Sequence, residues 1–227
     1  MASARPSRPN ENPELEYQTI DSLIEDNLFR ELSEFVAVPT YRGGALSEAE
    51  VISNLEQIKD SLTAQVKEFN VGQKVHKLEL FEWKQPESHQ YWLFGFRLGS
   101  GAHKIAVCCH LDTVPPGDNS SWSPFELVQE QRDYMGKAFQ DFYVGRGSID
   151  DKGPAVVAFN VLKAVARRYD GSDKLNATTV EVIFDTSEET DMAMPHYLQA
   201  VPEDNPDFGI IFDASWSVRA EKGIERP

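Results

Sequence analysis

The chain has 227 residues, 41% of them hydrophobic, and carries 22 Lys and Arg against 37 Asp and Glu, for a formal net charge of -15. That length and apolar content suffice for one sizeable core, while the negative charge argues against nucleic acid, whose phosphates need Lys and Arg. No apolar run approaches the roughly 20 residues of a membrane span, and the opening MASARPSRPNENPE lacks the apolar centre of a signal peptide, so a cytoplasmic protein with no membrane partner is expected.

In chain order, residues 1–14 are rich in proline and polar side chains and are expected to be a disordered tail. Ile20, Leu23, Ile24, Leu28, Leu32, Phe35 and Val36 recur at helical spacing, and Pro39 ends the pattern. Ser47 with Glu50 is a capping-box signature opening a second helix, with Leu55, Ile58, Leu62, Val66 and Phe69 on its face. Val75 to Trp83 and Tyr91 to Leu98 read as strands, as does the apolar run Lys104 to Leu111. The only cysteines, Cys108 and Cys109, lie in that run. As adjacent strand residues they point to opposite faces and are expected to be buried free thiols.

Gly117 to Tyr143 reads as a long loop containing a short hairpin, packed by Trp122 and Phe125. A helix is expected soon after Asp150, with Pro154 near its first turn and Val156, Val157, Phe159, Val161, Leu162 and Val165 on its apolar face. Thr179 to Phe184 and Phe208 to Phe212 complete the strands. The fold class is therefore α/β, a mixed, mostly parallel sheet flanked by helices.

The chemistry-bearing residues collect where the strands stop. His110 and Asp112 end one run, Glu188 and Glu189 follow the next, Asp213 follows the last, and Asp150 stands just before a helix. In open α/β sheets, ligands bind outside the carboxyl ends of strands. Imidazole and carboxylates in this mixture suit zinc, with manganese or cobalt as substitutes. His110 can offer one ring nitrogen to a metal while Asp112, two residues on, holds the other. Of the adjacent glutamates, Glu189 is assigned to the metal and Glu188 to general base chemistry on a water acidified by the cations. Arg146 and Lys152 could neutralise carboxylates around the metals, and Asp151 is expected to make a structural hydrogen bond.

The segments His110-Leu-Asp-Thr-Val-Pro, Gly145-Arg-Gly-Ser-Ile-Asp-Asp-Lys-Gly and Ser187-Glu-Glu-Thr, in this order and spacing, resemble the aminoacylase, carboxypeptidase G and carnosinase group of co-catalytic zinc hydrolases, metallopeptidase family M-twenty. The resemblance runs from about Leu28 to the last residue. It implies that His110 and Asp213 hold one zinc, that Glu189 holds the other, that Asp150 bridges the two, that Asp112 clamps His110 and that Glu188 is the general acid/base. It also implies a cis peptide between Asp150 and Asp151.

A departure accompanies it. The group takes a further zinc-binding histidine from near the end of a chain roughly twice as long, and no histidine follows His196 here. His196 itself lies about 10 Å along a helix from Glu189 and is a poor substitute. Residues 15–227 are therefore expected to be the N-terminal portion of a di-zinc catalytic domain, with the second metal site incomplete, ending where a lid or dimerisation domain would begin.

Asp150-Asp151-Lys-Gly-Pro154 resembles the carnosinase-like and PepV-like dipeptidases more than the deacylase branch. The expected activity is hydrolysis of a peptide bond in a small peptide, by a metal-bridging water with Glu188 as base. An N-acyl amino acid deacylase and a truncated chain that binds metal without turnover are the alternatives. A homodimer through the missing lid domain is an expected assembly.

Overall fold

The computed structural model describes residues 28–86, 92–120, 122–134 and 137–213. The expected tail at 1–14, the helix positions Ile20, Leu23 and Ile24 and the segment after Asp213 lie outside the described residues.

The first helix, α1, covers 28–36 among the described residues. The second, α2, spans Glu48–Val71 and opens on the expected capping box: the Glu50 amide donates to the Ser47 hydroxyl, and the Glu50 carboxylate accepts from the Ser47 amide. Its buried stripe of Val51, Leu55, Ile58, Leu62 and Val66 keeps the helical period. The strands are β1 (Leu78–Lys84), β2 (Trp92–Leu98), β3 (His103–His110), β4 (Val128–Tyr134) and β5 (Lys137–Val144). After them come α3 (Lys152–Arg168), the short α4 (Asp173–Ala177), β6 (Thr178–Asp185), α5 (Ala193–Ala200), a 3-10 turn at Pro202–Asp204, and β7 (Phe208–Ile211).

The main sheet has the order β1-β2-β6-β3-β7. β2 runs antiparallel to both neighbours, while β6, β3 and β7 are mutually parallel, so four of the five strands point the same way. Burial follows position. Nearly all of β2 is buried, because both of its faces are covered, whereas β1 at the edge alternates. Gly95 in β2 is required by close approach, since a Cβ there would meet the Val182 carbonyl and the Phe81 ring.

One face of the sheet packs on α2 and α3 through Phe94, Phe96, Phe184, Phe159 and Leu162, with Phe96 and Phe159 ring centroids 5.3 Å apart. The other face carries α5, whose Ala193 and Tyr197 pack on Leu93, Ala106 and Ile183. Cys109 joins the first cluster and Cys108 packs against the second, each as a free thiol. Burial raises the Cys108 thiol to about 11 and pushes Cys109 higher still.

Two details differ from the sequence reading. The β4–β5 hairpin is longer than expected, because Val128–Tyr134 is almost wholly polar and gives no apolar alternation. Val161, assigned to the apolar face of α3, is exposed, as are Phe208, Ile210 and Ile211 of edge strand β7.

Candidate metal centre

β3 and β6 each end on a side chain held in place by its neighbours, His110 and Asp185. β3 stops at His110, whose imidazole is buried and whose amide donates to the Asp151 carboxylate at 2.9 Å. The peptide bond Asp150–Asp151 is cis. Asp151 stands at the N-cap of α3 yet makes no side-chain cap there, because its side chain turns inward to His110. Asp150, half exposed, places Oδ1 3.0 Å from His110 Nε2. Around the same nitrogen lie Asp213 Oδ1 at 3.6 Å and Glu188 Oε2 at 3.8 Å.

The turn after β6 is built by two buried aspartates. Asp185 accepts from the amides of Ser187, Ala193 and Met194, so it starts α5 and closes the loop that carries the glutamates. Asp112, 1% exposed, accepts the Glu188 amide on one oxygen at 3.0 Å and the Glu189 amide on the other at 3.1 Å. Asp112 also meets the His110 imidazole, through its carbonyl and its carboxylate. Nδ1 lies 3.0 Å from the Asp112 carbonyl and 3.6 Å from its carboxylate. Regular strand geometry stops at His110, and the Asp112 side chain reaches the glutamate turn as well as the imidazole.

Lys152 is buried and donates to the carbonyls of Phe35 and Val38 at the end of α1. Burial pushes its ammonium down to about 7, against the pull of Asp112. Arg146 braces the preceding loop instead of a carboxylate, with Nη2 3.3 Å from the Pro115 carbonyl and its guanidinium over Trp122. His196 stands on α5 and belongs to neither ligand group found among the described residues.

Those groups are two trios whose ligand atoms all lie within 4.8 Å of one another: His110, Asp150 and Glu189, and His110, Asp151 and Asp213. They share the imidazole. The electrostatics fit a cation. Burial raises the Glu188 and Glu189 carboxyls, and neighbouring carboxylates raise them further. Asp151 reaches about 8, through burial and then the nearby acids, offset in part by the His110 amide. Its Oδ1 is buried without a hydrogen-bond partner, an acceptor directed into the cluster. Burial disfavours a charged His110, but the carboxylates of Asp112, Asp151 and Glu188 outweigh it and raise the group to about 10. A metal would have to displace that proton and in return relieve the repulsion among the acids. Beside the cluster a cleft of about 640 Å³ extends over Ile183, Met194, Leu198 and Ile211.

Arg42, and Asp185 in its role as builder of the turn, escaped the sequence reading, whereas Asp151 makes the structural hydrogen bond expected of it, to the His110 amide. Asp185 gave only the signal of a strand-end acid, which is as often solvated, and Arg42 gave none.

A mixed α/β sheet thus gathers an imidazole and carboxylates at its strand ends, a donor set suited to a divalent cation. Residues 106–224 match Peptidase family M20/M25/M40, and the chain belongs to that family. It is 38% identical over 129 residues to "Putative dipeptidase YtjP" of Bacillus subtilis, an overlap of 56% of this chain and 24% of that protein. A dipeptidase-designated protein of Staphylococcus saprophyticus is 30% identical over 128 residues, again 56% of this chain and 24% of its own length. The match thus spans about a quarter of these relatives. Among solved structures, human carnosine dipeptidase 1 superposes with a TM-score of 0.63 at 19% identity, covering 89% of this chain and 41% of that one. The dipeptidase Dug1p of Saccharomyces cerevisiae gives 0.58 at 19%, covering 88% and 40%. At these identities the likeness is one of fold. No helix among the described residues is long and apolar enough to cross a membrane.

Proposed function

We propose that this chain contributes the metal-binding half of a dipeptidase active site and that the reaction is hydrolysis of the peptide bond of a small, unblocked peptide. The observation that carries the reading is the pair of ligand trios sharing His110 at the strand ends. Within that cluster the family resemblance, and not the trios themselves, divides the ligands: His110, Asp150 and Asp213 would hold one divalent ion and Asp150 with Glu189 a second, zinc being the best match to this donor set, with manganese or cobalt as substitutes. Cations bound there would polarise the scissile carbonyl and acidify a water.

The chain's own residues do the rest. Glu188 accepts the proton of the attacking water and passes it to the departing amine as the C–N bond breaks and the new C–O bond forms. Its raised carboxyl is suited to carrying a proton in both directions. Asp112 fixes the Glu188 and Glu189 amides, and with them the spacing of base and ligand. The same ligands could serve a deacylase, so substrate choice is tested directly. The protein is assayed against Ala-Ala, β-Ala-His, N-acetyl and N-succinyl amino acids, before and after chelator treatment and with zinc, manganese or cobalt restored. Metal-dependent preference for the free dipeptides supports the reading; preference for the acylated compounds moves the protein to the deacylase branch, and turnover that survives chelation contradicts it.

A further inference from the structure

We propose that Arg42 is a positioning residue of the metal site, setting the Asp112 carboxylate and, through it, the turn that presents Glu188 and Glu189. Arg42 lies in the connector between α1 and α2, far in sequence from all of the motifs, which begin at His110, Gly145 and Ser187. That connector is fastened to the end of β3. Thr40 Oγ1 donates to the Leu111 carbonyl at 2.7 Å, the Thr113 amide donates to the Thr40 carbonyl, and Tyr41 and Thr113 form a parallel bridge.

The Arg42 side chain, 12% exposed, then reaches three ways. Nε faces both carboxylate oxygens of Glu48 at 3.1 and 3.2 Å, Nη1 donates to the Thr186 carbonyl at 2.6 Å, and the same nitrogen is 3.7 Å from Asp112 Oδ2. Thr186 immediately precedes the turn, and Asp112 accepts both glutamate amides. One guanidinium thereby touches the turn's entry and the carboxylate that shapes its middle.

The charge balance calls for such a group. Asp112 is buried beside the acids Asp185, Glu188 and Glu189, with His110 and Lys152 as opposite charges, and a buried carboxylate in such company is held only where it is well paired and hydrogen-bonded. Arg42 supplies a countercharge without occupying a ligand position. Glu48, in the first turn of α2, orients the guanidinium. Lysine could not reproduce this, because a single ammonium cannot present a planar fork in three directions.

The test uses the protein at its full natural length. The zinc dissociation constant is measured by competition with a chromophoric chelator, and kcat and KM are measured with a dipeptide. Arg42→Ala is expected to weaken zinc binding and lower kcat by about 10- to 100-fold each, with KM changed less than about twofold. Added guanidinium is expected to restore part of both, and Arg42→Lys to stay impaired. Unchanged zinc affinity and kcat in a folded alanine variant would overturn the proposal, as would a loss of thermal stability alone. If the alanine variant does not fold, the lysine variant decides: wild-type zinc affinity overturns the proposal and weakened affinity supports it. The kcat arm rests on the peptidase reading, but the zinc arm does not, so a wild type that cleaves no dipeptide leaves the Arg42 question answered separately.

Discussion

Replacing Asp112 by asparagine removes one charge and one acceptor while keeping the volume of a side chain that is 1% exposed. In the native chain each carboxylate oxygen takes one amide, Glu188 at 3.0 Å and Glu189 at 3.1 Å. Asparagine can accept only one of them, and its NH2 then faces the other N–H, donor against donor. Hydrogen bonds to a buried charged group contribute about 1.5–3 kcal/mol each. Losing one, together with the Arg42 attraction at 3.7 Å, should lower stability by about 2–3 kcal/mol. With a urea m-value of about 2–3 kcal/mol/M, the midpoint falls by about 1 M at unchanged m. The assay is urea unfolding of the metal-free protein at neutral pH, followed by circular dichroism. A midpoint within about 0.2 M of wild type would refute the claim that Asp112 builds the glutamate turn. Asp112→Ala, which removes both acceptors, should cost more than asparagine does; equal losses would likewise contradict the two-acceptor account.

Phe159→Ala deletes a fully buried ring packed on Phe96 and should destabilise by about 3–5 kcal/mol; calorimetry showing a loss under about 1 kcal/mol would mean that α3 is not seated on the sheet as described. Asp170 accepts the amides of His76, Lys74 and Val75, which hold its carboxyl near about 2, against about 3.9 in an unfolded chain. A depressed value stabilises the fold above the unfolded pKa and is lost as pH falls through the folded one. The stability gap between wild type and Asp170→Asn should therefore be widest above about pH 5 and close towards about pH 2, and a gap independent of pH in urea titrations would contradict the assignment.

The parts of the fold that were legible in the sequence are those whose burial is written in consecutive residues. β2 and β6 are covered on both faces and read as mainly apolar runs, interrupted by Arg97 and Glu181, which pair with each other, and α2 announces its start through Ser47 and Glu50. The candidate ligands were legible for the same reason, since His110, Glu189 and Asp213 interrupt or follow apolar runs at strand ends. What stayed hidden depends on distant partners. Asp185 looks like any strand-end acid until α5 folds back over it. Lys152 reads as a cation that could neutralise site carboxylates, and only the fold shows that its hydrogen bonds go to two carbonyls at the end of α1. Arg42 sits in a connector without periodicity, and only the sheet brings Asp112 and Thr186 to it. The β4–β5 hairpin hid because its polar strand satisfies the backbone without an apolar face.

The division of labour between the adjacent glutamates is the centre of the account, and metal content measured alongside turnover tests it most directly. Glu188→Gln and Glu189→Gln are each loaded with zinc, dialysed, and analysed by atomic emission and with the preferred dipeptide. The account predicts that Glu188→Gln keeps its metal and loses turnover by at least about 100-fold, because a base is gone but no ligand is, whereas Glu189→Gln loses metal. Equal metal loss in both variants, or a Glu188→Gln protein that still turns over, would contradict it.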